Sequence, residues 1–310
     1  MQTVCPSYYP RFQCIAGKCQ HSCCIGWEID IDPDTMDYYR SIPGQTGQLL
    51  SQYIAPDDPP HFILSEGERC PFLTKENLCR LILTLGEGAL CEICAEHPRF
   101  YRELSDRTEC GLGLCCEEAA RLILSWSEPV TLLSDGDGSP SPFTAQRDEG
   151  IRLLQDRSQP ISRRVEAMLN HFSAPLPTKS PRQWAQVLLG LERMDEAWTV
   201  WLTRLQAQGD ELDLAGFDAY MTPRQGEYEQ LLVYLLYRHL NEDDPPEQTA
   251  ARACFAALGY EVIRALGALY WTEKGALPFS QQVEFVRLFS CEVEYSEENT
   301  STLLKMLPRL

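Results

Sequence analysis

The sequence predicts a mainly α-helical protein, with a loop-rich cysteine-cluster domain at the N-terminus and a helical domain after it. Three observations predict this. Twelve of the fourteen cysteines lie within the first 116 of 310 residues, in tight groups separated by short polar stretches. Beyond residue 143, apolar residues recur at helical spacing between proline stops. Runs with the two-residue alternation of strands are scarce.

A chain of this length has ample apolar material for a core, so it does not depend on disulfides to fold. The N-terminus lacks a basic run followed by an apolar stretch, so no secretory signal is expected. No stretch approaches about 18 uninterrupted apolar residues, so no transmembrane segment is expected. A cytoplasmic chain keeps its thiols reduced, and grouped reduced thiols favour a metal or iron–sulfur site over disulfides. The formal net charge of −18 is spread over both halves. Such a surface repels phosphate backbones and argues against a nucleic-acid partner.

Taken in order, the first third alternates cysteine groups with loops and an acidic patch at 30–37, and residues 56–60 (PDDPP) form a break. Residues 117–127 carry Ala120, Leu122, Ile123, Leu124 and Trp126 at helical spacing. Residues 134–142 (SDGDGSPSP) read as a linker, giving domains 1–133 and 143–310. Helices are expected over 145–172, over 180–205 with Ser180 as cap and Pro181 in the first turn, and over 225–240, 248–272, 278–293 and 299–307.

The chemistry is concentrated in the thiols. FQCIAGKCQHSCC supplies Cys14, Cys19, Cys23 and Cys24. Cys70 opens CPFL, and Cys79 closes a hairpin-like knuckle after it. Cys91 and Cys94 form a C-x-x-C, the usual two-thiolate clamp. The redox-dithiol reading of that pair lacks its βαβ context. The spacing matches neither a four-ligand zinc ribbon nor the C-x₃-C-x₂-C of radical S-adenosylmethionine enzymes, because Gly26 stands at the third position.

The ordered strings FQCIAGKCQHSCCIGWEIDID, CPFL, LCRLILTLGEGALCEICAEHPRFY and CCEEAARLIL lie within a match that covers roughly residues 8–126. Together they resemble the bacterial flagellin lysine-N-methylase family, and more broadly the cysteine-cluster proteins described as zinc or iron–sulfur binding. The resemblance implies methyl transfer from S-adenosylmethionine to lysine ε-amino groups of flagellin, in the cytoplasm before export. It also implies a 4Fe–4S cluster, with zinc as the alternative metal. Its cysteines fall on Cys14, Cys19, Cys23, Cys24, Cys70, Cys79, Cys91, Cys94 and Cys116, while Cys110 and Cys115 are additions. Nine thiols exceed the four that one cubane needs.

Methylation also requires a deprotonated lysine, whose ordinary pKa is about 10.4, and a sulfonium welcomes carboxylates and aromatic faces. Asp30, His97 and Tyr101 are therefore candidate catalytic groups, and Trp27 and Glu28 candidates for binding S-adenosylmethionine. Asp32 and Glu103 lie near them in sequence, and the aspartates equally suit turn caps. No strand followed by a glycine-rich turn announces a dinucleotide-type fold, so cofactor binding is expected to be unconventional. The reading from a different class is a non-catalytic, metal-stapled protein-interaction module.

Overall fold

A computed structural model describes residues 2–307. In chain order the elements are β1 (Gln2–Pro6), α1 (Pro33–Ser41), α2 (Gly44–Tyr53), β2 (Ile54–Ala55), β3 (His61–Phe62), α3 (Arg80–Leu85) and α4 (Glu92–Glu96). They continue with β4 (Arg99–Glu103), β5 (Arg107–Leu112), α5 (Glu117–Leu124), β6 (Leu132–Ser134), α6 (Pro142–Leu154), α7 (Ile161–His171) and α8 (Pro181–Leu189). The last are α9 (Glu196–Gln208), α10 (Leu214–Met221), α11 (Gln225–His239), α12 (Pro246–Lys274), α13 (Phe279–Phe289) and α14 (Glu297–Met306). The protein is mainly α, as the sequence predicts.

The chain forms two compact units, residues 13–100 and residues 1–12 with 101–310. This division differs from the one read from composition at 134–142. The reason lies in strand pairing. β1 runs parallel to β5 and antiparallel to β6, in a sheet ordered β4-β5-β1-β6. The first residues and the 107–116 segment therefore belong with the helices. The glycine- and serine-rich stretch is a surface turn held against β1: the Gly138 N–H and the Ser134 hydroxyl both donate to the Gln2 side-chain oxygen, at 3.0 and 2.9 Å.

In the 13–100 unit, Ile29, Ile31, Tyr39, Leu50, Ile54, Phe62, Phe72 and Leu81 form one apolar core that also contains Cys70 and Cys91. The short β2–β3 pair closes it. Asp32 caps α1 by accepting the Thr35 N–H at 2.9 Å, with Pro33 in the first turn.

In the helical unit, α8 opens where Ser180-Pro181 predicts, with a full capping box to Gln183. Two long expected helices are each broken. Pro160 has no N–H to continue α6 and instead caps α7. Residues 190–195 separate α8 from α9, whose N-cap Asp195 accepts from the Ala197 N–H at 2.8 Å. α10 and the four-stranded sheet had no counterpart in the sequence reading. α12 is long and apolar enough, by length and composition alone, to cross a membrane. Of its most apolar stretch, 83% is buried inside the protein, so it serves as a core helix of this unit.

Small residues let α12 approach its neighbours closely. A Cβ on Gly259 would stand 2.7 Å from Leu235 Cδ1 and 3.3 Å from the Phe289 ring, and both neighbours are fully packed. Gly259→Ala gains helix propensity but overfills this contact. The expected outcome is a loss of about 1–2 kcal/mol, read from the urea midpoint. An unchanged midpoint would show that α11 and α12 can separate freely.

Candidate metal centre

Backbone pairing brings the first thiols together. The Cys70 N–H donates to the Cys24 carbonyl at 2.8 Å, and Gly26 N–H to the Glu68 carbonyl at 3.0 Å. Gly67, at φ 72°, supplies the left-handed turn that this pairing needs. The knuckle from Cys70 to Cys79 is present. Leu73 pairs with Cys79, Thr74 N–H donates to the Leu78 carbonyl at 2.9 Å, and Arg80 N–H to the Phe72 carbonyl at 2.7 Å. The Arg69 guanidinium locks it by donating to Asn77 Oδ1 at 2.9 Å.

Cys91 and Cys94 come from the start of α4. Asp32 holds that start, accepting the Glu92 N–H at 2.8 Å while it caps α1. The carboxylate that sequence reading offered as a cap or a functional group is thus a double cap. Tyr39 packs against the same corner and donates to the Ala89 carbonyl at 2.7 Å.

Cys70 and Cys91 thus lie in one apolar core, and the half-buried Cys24, Cys79 and Cys94 pack against it. All are free cysteines. Burial pushes Cys70 up to about 12, against the pull of the Phe72 amide on its sulfur. Burial also raises Cys79, opposed by the amides of Ile82 and Leu81. The Cys94 thiol donates to the Cys91 sulfur, which lowers Cys91, with the Cys94 amide adding to it, and raises Cys94. A hydrogen bond from Cys23 brings Cys24 down to about 7, with Ser22 and Arg69 helping and burial opposing. Amide donors aimed at buried sulfurs stabilise thiolates, and a cation that takes the protons' place would relieve the cost of burying them. This donor set suits iron or zinc. Among the described residues, no three His, Cys, Asp or Glu side chains are gathered closely enough to hold a single metal ion.

Of the other sequence candidates, Cys23 touches the group through its hydrogen bond to Cys24. Cys14, Cys19 and Cys23 lie on the loop before Cys24, with Cys14 and Cys23 exposed. Cys14 Sγ accepts the Ala16 N–H at 3.4 Å, and the Cys19 thiol donates to the His21 carbonyl at 3.2 Å. Cys116 belongs to the helical unit, at the start of α5. There too Cys110 neighbours Cys5 across β5 and β1, and Cys115 neighbours Cys291 and Tyr295. Sequence spacing could not reveal either pairing, since Cys5 and Cys291 stand outside every motif.

Trp27 is 40% exposed rather than buried; its indole donates to the Cys23 carbonyl at 2.7 Å, and its ring lies 6.2 Å from that of His97. Burial lowers the pKa of His97, which favours its neutral form. Glu28 reaches His61 at 4.0 Å. Asp30 is exposed, and Tyr101, in the helical unit, touches the Tyr9 hydroxyl at 3.5 Å. The structure thus brings Trp27 and His97 together, and sets Glu28 and Asp30 on either side of His61, to which Asp30 pairs through the backbone.

Residues 182–309 match the family model of the FliB lysine N-methylase C-terminal domain. A lysine-N-methylase of Salmonella typhimurium (strain LT2) is 29% identical over 141 residues, 41% of this chain and 33% of that protein. The lysine-N-methylase of Salmonella choleraesuis is 28% identical over the same coverage. The flagellar biosynthetic protein FliU of Salmonella muenchen is 28% identical over 134 residues, 41% of this chain and 79% of that protein. The chain thus matches about a third of the length of the lysine-N-methylases. No solved structure matches. These matches bear out the resemblance read from the cysteine motifs, and the family model lies wholly in the helical unit.

Proposed function

We propose that this chain is a lysine N-methyltransferase that moves the methyl group of S-adenosylmethionine to lysine ε-amino groups of flagellin in the cytoplasm, with a 4Fe–4S cluster in its 13–100 unit. The similarity to lysine-N-methylases supports lysine methylation. One observation carries the cluster: two reduced thiols lie in one core with three more packed against it, and amide N–H groups face the sulfurs of Cys70, Cys79 and Cys91.

Those three cysteines, with one of Cys24 and Cys94, make the four thiolates of a cubane. When bound, the cluster supplies a covalent staple and an electron-transfer centre tuned by hydrogen bonds to its sulfurs.

The test uses anaerobically purified protein with its iron and sulfide assayed. Incubated with flagellin and methyl-labelled S-adenosylmethionine, it should label lysine. A colourless, zinc-loaded protein removes the cluster. A cluster-bearing protein that labels nothing makes the chain an interaction module instead.

A further inference from the structure

The helical unit contains a cavity of about 110 Å³ among Lys179, Trp184, Leu205, Leu214, Glu261 and Val262. It lies where α8, α9, α10 and α12 meet, and Trp184 and Glu261 fall inside the segment matching the lysine N-methylase domain. Besides Lys179, its otherwise apolar walls carry two polar features. One is the Trp184 ring, 2% exposed, whose indole N–H has no hydrogen-bond partner among the described residues. The other is the Glu261 carboxylate.

The charges around that carboxylate are unequal. Arg264 pairs with Glu261 at 3.0 Å and with both oxygens of Asp218 at 2.6 Å. Two carboxylates share one guanidinium, which leaves a negative charge beside the cavity. Burial raises Glu261, Arg264 opposes it, and the neighbouring Asp218 charge adds to the rise. The cavity therefore favours a cation, and the chain already presents one: the Lys179 ammonium lies 5.9 Å from the centre of the Trp184 ring. An aromatic face with a nearby carboxylate attracts alkylammonium groups strongly once water is excluded. Lys179 comes from the half-exposed loop ahead of α8, so it can leave without unfolding a helix.

We propose that this cavity receives a lysine side chain of the protein substrate, its ammonium over Trp184 and beside Glu261, with Lys179 occupying the place until substrate displaces it. The proposal rests on the lysine-methyltransferase reading and names where that enzyme holds its target.

The test needs no cofactor. The Trp184 indole N–H resonance, assigned by NMR in the whole wild-type chain, is followed while Nα-acetyl-lysine methylamide or its uncharged norleucine counterpart is added. The lysine probe should shift it saturably and the norleucine probe should not. Lys179→Met, which removes the internal occupant, should tighten binding by about tenfold, and Glu261→Gln should weaken it by about tenfold. Equal shifts from both probes, or none in wild type and in Lys179→Met, would overturn the proposal.

Methyl transfer is scored separately. A folded Glu261→Gln protein that methylates flagellin with unchanged KM removes the pocket and keeps the methyltransferase. Specific probe binding by a chain that transfers no methyl keeps the pocket as a lysine-binding site and removes the methyltransferase reading.

Discussion

Cys91→Ser is expected to retain less than about a tenth of the iron and sulfide of the wild-type protein, whereas Cys14→Ser should retain nearly all of it. The motif resemblance gives these two cysteines equal standing. The structure separates them. Cys91 has no exposed surface, its sulfur receives the Cys94 thiol and amide, and it lies in the core with Cys70. Cys14 is exposed, and its sulfur accepts a neighbouring backbone N–H. A serine oxygen is a poor substitute for a thiolate toward iron, and in the Cys91 position it would also be a hydroxyl in an apolar core. Because that change could weaken folding of the 13–100 unit, the half-buried Cys79→Ser serves as a second variant, with the same loss expected. The measurement is iron and sulfide per chain after anaerobic purification, beside far-ultraviolet circular dichroism. Full iron in both core variants, or loss of iron in Cys14→Ser, would sink the assignment.

That contrast also marks what could be read from the sequence. The knuckle between Cys70 and Cys79 and the start of α8 were legible because each is a local event: a proline, a turn residue or a capping side chain decides it within a few positions. Burial is not local. Nothing in FQCIAGKCQHSCC distinguishes Cys24, which the Cys70 backbone draws inward, from Cys14 ten residues earlier. The sheet was missed for a related reason. β1 finds its parallel partner in β5, with Gln2 opposite Arg107, and neither short strand announces a partner that far along the chain. The breaks at Pro160 and at 190–195 had local signals, but apolar periodicity on either side outweighed them. The alkylammonium pocket was invisible because its aromatic ring and its carboxylate come from α8 and α12, and only packing makes them neighbours.

Glu109→Gln is expected to cost about 3–5 kcal/mol, the range for breaking a buried ion pair by removing one partner. Glu109 sits on β5 with no exposed surface, where Arg147 grips both its oxygens at 2.7 and 2.6 Å and Arg102 adds a third contact at 2.7 Å. Arg102 in turn closes the end of α11, donating to the carbonyls of Tyr237, Arg238 and Leu240. The Arg147 guanidinium lies 4.9 Å from the centre of the Tyr237 ring, and the Tyr237 hydroxyl reaches the Val4 and Cys110 carbonyls. One carboxylate thus ties the sheet to α11, and its removal leaves two guanidiniums buried with too little negative charge.

The pH dependence follows from the same contacts. Burial alone would raise Glu109, but the two arginines outweigh it and hold its pKa below the ordinary value. A depressed carboxylate contributes its full stability above about 4.3, and loses it as pH falls from there through the native value. The gap between wild type and Glu109→Gln in urea midpoint should therefore be widest near neutrality and narrow in acid. Glu149→Gln, at the solvent-exposed pair with Arg152, is the control and should move the midpoint at neither pH. A gap that stays constant down to acid pH would mean that the glutamine costs stability through shape, not through the charge it removes.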